Sequence, residues 1–511
     1  MIALFLQKKR IFLGICFLLG CLTSFSLAPF YLWPIWLLSF PVILKLLENS
    51  NFKASLAIGW SFGFGYFTVS LYWIGIAFLV DAETYAWLMP FAIIGLPAFL
   101  ALYWAIGFAV ANYFRLAGNF KILIFATCLT LCEFLRGHLF TGFPWNAPGY
   151  VIFASDELAQ ISSYIGLWGI SFLVFISAGL PTLLIEKKYK SFAIWLTGFG
   201  ALFLLGYWNL NSSIPLKQSV SVRLVQPSVP QSDKWRYDNA REIFRDLLAL
   251  TAGDGIADKD LVLWPESAFP GLIEEDPAAR NGMARLLPPK ASLITGSLRR
   301  EIIGEVGGDD DLIFNSIISI NATGEVTSHY DKFHLVPGGE YLPLEKWLNL
   351  IGIRRLVSLP GSFQAGSGPQ TISLAHIPPF SPLICYEIIF PNEVVADQRP
   401  KFIVNLTNDG WFGDSTGPWQ HLDQARMRAI EEGLPVLRAA NTGISAIIDA
   451  HGRVLASSQM NQRQIIDSTL PPALEATLYS KFGDWPILAL ILVLFCISFW
   501  RKTTIYARIN K

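Results

Sequence analysis

Charge is what this chain has least of. Asp, Glu, Lys and Arg make up 15% of its 511 residues, against about 25% in a typical soluble domain. The positive and negative residues cancel, 39 against 39, so no global field selects a nucleic acid or another polyanion as partner. Cysteine is also sparse. The six cysteines, at 16, 21, 128, 132, 385 and 496, include no CxxC pair, and there are only six histidines. That pattern argues against a disulfide scaffold and against a structural zinc site. No cofactor motif accompanies them.

Apolar and aromatic residues fill the gap. Hydrophobic residues reach 53%, with 38 Phe and 17 Trp, and mean hydropathy is +0.44. Apolar runs fall at about 11–30, 30–47, 54–80, 87–114, 121–136, 160–185, 191–209 and 485–500. Most approach the roughly 17–25 residues that a spanning helix needs. Eight spans are therefore expected: seven in a transmembrane domain over 1–210 and one C-terminal helix at 485–500. Gly59, Gly63 and Gly65 put small residues at close-packing spacing in the third run. Basic residues mark alternate gaps: Lys8, Lys9 and Arg10, then Lys45 and Lys53, Arg115 and Lys121, Lys187, Lys188 and Lys190, and finally Arg501 and Lys502. The opposite gaps hold Asp81, Glu83 and a single Arg136 near a span end. By the positive-inside rule both termini are cytoplasmic, and the segment from about 210 to 484 lies across the membrane. The stretch 137–160, with Phe143 and Trp145, is too irregular for a span and reads as an interfacial loop or a plain connector. Few ionisable residues fall inside the runs, which argues against a transporter.

From residue 219 the texture changes. Strand-like runs recur at 220–225, 261–264, 292–295, 312–320, 382–385, 402–406, 436–438 and 444–449, and helical patterns at about 236–252, 391–397 and 419–432. Asn321 to Gly324 and Asp449 to Gly452 read as hairpin turns. Strands interleaved with helices over about 218–480 predict an α/β domain with its own core.

Three stretches of that domain carry chemistry. One is an apolar run ending at Glu266, in Trp-Pro-Glu-Ser. A second runs from Asp331 through Lys332 to Glu340, and the third places Cys385 at the end of a run, with Tyr386 and Glu387 after it. Residues just past strand ends in α/β sheets gather where ligands bind. A free thiol has a pKa of about 8.5 and needs a base or a nearby cation to become a nucleophile. Glu266 is a candidate base, and Lys332 a candidate stabiliser of the thiolate and of an oxyanion. A buried structural thiol and two solvated charges are the alternative. Spacing alone cannot bring 266, 332 and 385 together.

Those three stretches resemble the Glu–Lys–Cys triad of the nitrilase (carbon–nitrogen hydrolase) superfamily. With spans on both sides, the whole chain resembles the bacterial apolipoprotein N-acyltransferase family, and 135–145, 406–421 and 424–446 add further family-like stretches. The resemblance implies a multi-pass α-helical membrane domain joined to an α-β-β-α nitrilase-like sandwich in the bacterial inner membrane, with the sandwich on the periplasmic side. It implies Cys385 as nucleophile, Glu266 as general base and Lys332 as oxyanion stabiliser. Glu340 corresponds to a glutamate that orients the lysine, Tyr386 and Glu387 to residues flanking the nucleophile, and Trp235 to a tryptophan near the acyl site.

The implied reaction moves an acyl chain from a phospholipid, phosphatidylethanolamine by resemblance, through a cysteine thioester. The acceptor is the α-amine of a diacylglyceryl-cysteine on an apolipoprotein. A membrane-tethered amidase acting on a small soluble substrate is the alternative. One departure is Pro337-Gly-Gly-Glu340 where the family usually has Pro-Phe-Gly-Glu, which predicts a looser loop. Trp347, Leu348, Leu350, Ile351 and Ile353, followed by Arg354 and Arg355, form an amphipathic stretch readable as a membrane-dipping lid or as an ordinary buried helix.

Overall fold

The computed structural model describes residues 2–211, 220–234, 236–269, 271–303, 311–342 and 363–509. Trp235 and the amphipathic stretch around Trp347 lie outside them. Two compact units emerge. One comprises residues 1–75, 88–213 and 476–511, the other 76–87 and 214–475.

The first unit is helical. Among the described residues, five helices are long and apolar enough to cross a membrane: Ala82–Tyr113, Asn119–Thr141, Ser162–Ile185, Tyr189–Leu210 and Trp485–Thr504. Phe52–Ser70 and Tyr72–Leu79, bent by 46°, make a sixth if taken together. The remaining two apolar helices are Ile2–Ser24, 23 residues long and apolar from about Ile11, and the shorter Pro34–Leu47, 14 residues. Glycines let the helices touch. A Cβ on Gly59 would stand 2.8 Å from Phe108 Cβ, and one on Gly65 would stand 2.0 Å from the Phe17 carbonyl oxygen. At Gly166 (φ +60°) a Cβ would overlap the Tyr479 ring at 2.0 Å, which packs the segment after residue 476 into this unit, ahead of the expected start at 485.

One sequence expectation needs correction here. Arg136 belongs to no loop: it sits within the helix Asn119–His138, fully buried, and its guanidinium meets Glu133 at 2.6 Å. Trp104 Nε1 also donates to Glu133, at 2.7 Å. Paired in this way, the two ions satisfy each other inside apolar surroundings. Of the two readings open for 137–160, residues 144–151 pack as a buried connector, while Leu139 and Phe140 are 46% and 78% exposed. Trp145 is 1% exposed, and Arg136 donates to the carbonyls of Phe143 and Trp145.

The second unit contains two six-stranded mixed sheets. The strands are β1 (Ser221–Gln226), β2 (Leu261–Leu263), β3 (Ser292–Glu301), β4 (Leu312–Asn321), β5 (Val326–Asp331), β6 (Ile372–Leu374), β7 (Ile377–Ile384), β8 (Phe402–Thr407), β9 (Val436–Ala440), β10 (Ala446–Ile448), β11 (Val454–Ser457) and β12 (Gln464–Thr469). One sheet runs β12-β1-β2-β3-β4-β5 and the other β11-β10-β9-β8-β7-β6. Each has three parallel strands at its centre, β1-β2-β3 and β7-β8-β9, flanked by antiparallel neighbours. Strand alternation explains how the layers form. On β2, Leu261 and Leu263 enter a core shared with Phe380, Phe402 and Leu406 of the other sheet, whereas Val262 and Trp264 face a second core under the helix Tyr237–Thr251. On the second sheet the helix Gly417–Glu432 is buried almost throughout its length. The result is an α-β-β-α sandwich.

The run 391–397 is not helical. Pro391 and the left-handed Asn392 (φ +61°) break it. Strands β5, β6, β11 and β12 extend the sheets beyond the runs visible in the sequence.

Candidate active site

The parallel strands β2, β7 and β8 end close to one another, and their C-terminal turns carry the chemistry. Past β2 the chain turns at Glu266 and Ser267, the latter at φ +47°. Gly296 on neighbouring β3 makes room for that turn. A Cβ there would stand 2.4 Å from Ser267 N and 2.6 Å from Glu266 Cα. Past β7, Cys385 opens a short 3-10 turn at φ +48°, a region that a non-glycine residue seldom occupies and one that concentrates at functional sites. Glu387 holds that turn. Its carboxylate accepts from Ile384 N at 2.6 Å, from Phe333 N at 2.7 Å and from the Tyr330 hydroxyl at 3.0 Å. Burial lifts the Glu387 carboxyl to about 7, although these donors and Lys332 favour its charged form.

Lys332 follows β5 and is 1% exposed. Its ammonium lies 2.9 Å from both Glu340 oxygens and 3.8 Å from Glu266 Oε1. Burial works against the ammonium, but Glu340, Glu266 and Cys385 outweigh it and hold Lys332 above its ordinary range. Asn315 on β4 joins the two carboxylates. Its Nδ2 donates to Glu266 Oε1 at 2.8 Å and to Glu340 Oε1 at 2.9 Å. Glu340 Oε2 in turn accepts from Val336 N at 2.8 Å, which ties down the loop expected to be loose. Gly338 there takes φ +80° and donates its N–H to the Tyr341 carbonyl at 2.7 Å.

Burial pushes the Cys385 thiol up, and the charge of Glu266 pushes it further; Lys332 and the Thr407 hydroxyl pull it down. Behind the cysteine, Asp409, His421 and Arg438 are all buried. His421 Nε2 is 3.1 Å from the Cys385 carbonyl oxygen, and its Nδ1 is 2.8 Å from Asp409 Oδ1. Arg438 donates to Asp409 Oδ2 at 2.7 Å and also to Asn405 Oδ1. Arg438 and His421 hold Asp409 at about 2 despite its burial. The ligand atoms of Cys385, Asp409 and His421 lie within 4.8 Å of one another, but Arg438 already occupies the carboxylate that a metal ion would use.

Glu266, Lys332, Glu340, Cys385 and Glu387 thus converge in one buried cluster, and Tyr386 sits beside it, 7% exposed. Sequence reasoning passed over Asn315, Asp409, His421 and Lys234. The only cue to Lys234 was its place one residue before Trp235.

Residues 19–180 match the family model described as apolipoprotein N-acyltransferase N-terminal domain, and residues 222–478 match carbon-nitrogen hydrolase. The chain is 41% identical to an apolipoprotein N-acyltransferase of Rhodopseudomonas palustris, over 96% of this chain and 95% of that one. This chain belongs to the apolipoprotein N-acyltransferase family. A Bradyrhizobium diazoefficiens relative of the same name is also 41% identical, with 92% and 91% covered. Among solved structures, an amidase from Nesterenkonia sp. is similar at 20% identity, with 51% of this chain and 93% of that one covered and a TM-score of 0.36. Membership in this acyltransferase family fits both halves of the chain, the apolar helices and the sandwich.

Proposed function

We propose that the protein acylates the N-terminal amine of diacylglyceryl-cysteine apolipoproteins with a chain taken from a membrane phospholipid, through a thioester on Cys385. The observation that carries the reading is the buried cluster in which Lys332 contacts both Glu266 and Glu340 while sensing the charge of Cys385.

In the first half-reaction Glu266 takes the thiol proton and the sulfur attacks the ester carbonyl carbon. The carbonyl oxygen becomes an oxyanion beside Lys332. The carbon–oxygen bond to the glycerol then breaks, and the proton returns from Glu266 to the leaving alkoxide, which departs as a lysophospholipid. In the second half-reaction the acceptor amine attacks the thioester, passes a proton to Glu266 and displaces the Cys385 thiolate. Separate donor and acceptor steps through one covalent intermediate give ping-pong kinetics. Burial of the cluster favours the amine over water as second nucleophile, because water is kept scarce.

Glu340 and Asn315 act as positioning residues for Lys332 and Glu266, and Glu387 for the nucleophile turn. Trp235 is assigned to the acyl-binding surface on resemblance, and Tyr386 to the rim of the nucleophile. Phosphatidylethanolamine is the donor in this reading. The apolar helices hold the enzyme in the bacterial inner membrane with both termini cytoplasmic and the sandwich periplasmic. In this reading the membrane domain spans 1–210, the catalytic domain runs from about 218 to 475, short of the expected 480, and the C-terminal helix at 485–500 follows. Incubation of the full-length protein in vesicles of defined headgroup with a diacylated lipopeptide tests the whole reading. Triacylated product that depends on phosphatidylethanolamine is expected, and release of free fatty acid with no lipopeptide acylation would favour a hydrolase instead.

A further inference from the structure

A second lysine stands in the site, and the triad chemistry does not use it. Lys234 closes the four-residue helix Gln231–Lys234 and is 3% exposed. Its ammonium donates to the backbone carbonyl oxygen of Glu266 at 2.8 Å. The helix is tied to the loops that follow β8 and β9. Gln231 Oε1 accepts from Asn408 Nδ2 at 2.7 Å, Asn408 Oδ1 accepts from Asn441 Nδ2 at 3.0 Å, and Asn441 Oδ1 accepts from Val229 N at 2.9 Å. The lysine therefore does not swing freely; a network reaching behind Cys385 fixes its base.

Charge balance indicates what it does there. With the thiol protonated, Glu266 and Glu340 carry two negative charges and Lys332 carries one positive. Proton transfer from Cys385 to Glu266 leaves that sum at minus one. A net charge in a buried site is costly unless a counter-charge accompanies it. Lys234 offsets that charge, and the demand for a second cation grows when Glu387 in the same cluster is ionised. Burial lowers its own proton affinity to about 8, while Glu266 and Cys385 raise it; the attraction is mutual, so the ammonium also favours the thiolate.

We propose that Lys234 is a second positioning cation of the acyl-transfer site, pinning the Glu266 turn through its carbonyl and stabilising the Cys385 thiolate by its charge. This rests on the reading of Cys385 as the nucleophile. A neutral side chain at 234 leaves the thiol facing Glu266 and Asp409, with Lys332 and the Asp409-bound Arg438 as the remaining positive charges. An opposite charge lowers a thiol pKa, by about 1–3 units at close range, and Lys234 enters the site at the Glu266 carbonyl. Loss of the charge at Lys234 therefore slows thiolate reactions about tenfold or more at pH below about 8, where the ammonium is still charged.

The test is the pH dependence of Cys385 alkylation by iodoacetamide in the full-length protein, followed on the Cys385 peptide by mass spectrometry. Lys234→Met removes both the charge and the donor; Lys234→Gln removes the charge and keeps an N–H for the Glu266 carbonyl. Both variants should label at least about tenfold more slowly at pH 7.5, with profiles displaced to higher pH. A Gln profile that superimposes on wild type would reduce Lys234 to a hydrogen-bond donor and overturn the proposal. Failure of both variants to fold, judged by tryptophan fluorescence, would assign the lysine to structure and overturn it equally. Alkylation needs no lipid, so wild-type protein that makes no acyl adduct from phospholipid would sink the functional reading while leaving the profile comparison intact.

Discussion

Replacing Lys332 by Met should unfold the sandwich well before it disturbs the helices. The ammonium is 1% exposed and sits 2.9 Å from both oxygens of Glu340, which is itself 6% exposed. Without the lysine, Glu340 and Glu266 remain as two buried carboxylates joined only through Asn315. Removing one partner of a buried pair costs about 3–5 kcal/mol, mostly because the remaining charge is stranded. For a unit of this size that is roughly a 6–20 °C fall in Tm. The double variant Lys332→Met with Glu340→Gln removes the stranded charge, so most of the lost Tm should return while acyl transfer stays absent. Differential scanning fluorimetry of the full-length protein in detergent reads both outcomes. The sign with pH is fixed as well. A lysine held above its unfolded pKa, about 10.4, contributes stability that is complete below that value and lost only as pH rises through the folded value. The lysine's own contribution is thus constant from pH 6 to pH 9, and the variant's deficit should grow with pH over that range only as the carboxylates left behind, Glu387 among them, lose their protons. If the double variant lost the sum of the two single losses, the pair would not be coupled and the reasoning would fail.

Other residues give sharper but smaller tests. Asn315→Ala should lower turnover about 10–100-fold with little change in the affinity for lipopeptide, since its amide orients two carboxylates rather than contacting substrate; a changed KM with intact kcat would contradict that. Gly296→Ala should displace the Glu266–Ser267 turn, because its Cβ has only 2.4 Å to Ser267 N; full activity in this variant would mean that the turn tolerates movement. Asp409 titrates in the fold at about 2, below its unfolded value of about 3.9. Its contribution is present above pH 4 and fades as pH falls toward 2. Acid unfolding of Asp409→Asn should accordingly be flatter over that interval, by about 2–3 kcal/mol across it, and a parallel curve would count against the buried Asp409–Arg438 pair.

The fold was legible where a periodicity or a composition shift carried it. Val222 and Leu224 alternate with Arg223, and β1 follows that alternation. The helix Tyr237–Thr251 follows from Ile243, Phe244, Leu247 and Leu248. The edge strand β11 is only four residues and mostly exposed, and β12 sets Ile465 and Ile466 side by side among polar residues, so no alternation announced them. Pro391 and the left-handed Asn392 defeated a helical pattern that looked adequate from spacing alone. In the membrane unit a charged pair hid a buried site. Arg136 read as a span-end charge until the i,i+3 geometry joined it to Glu133 inside the helix. Of the site, Glu266, Lys332 and Cys385 were visible because each ends a strand or follows one and each has its own chemistry. Asn315, His421 and Lys234 were not, because an amide inside a strand, a buried imidazole and a lysine on a short helix carry no pattern in sequence. What they do depends on what lies 2.8–3.1 Å away.

The most direct measurement of the central claim is acyl capture. Full-length protein incubated with radiolabelled phosphatidylethanolamine should acquire label that hydroxylamine releases, and Cys385→Ala should acquire none. Adding diacylated lipopeptide to the labelled wild type should then move the label to the lipopeptide amine in a single turnover. Hydroxylamine-sensitive label on Cys385→Ala, or amine acylation by that variant, would contradict the account.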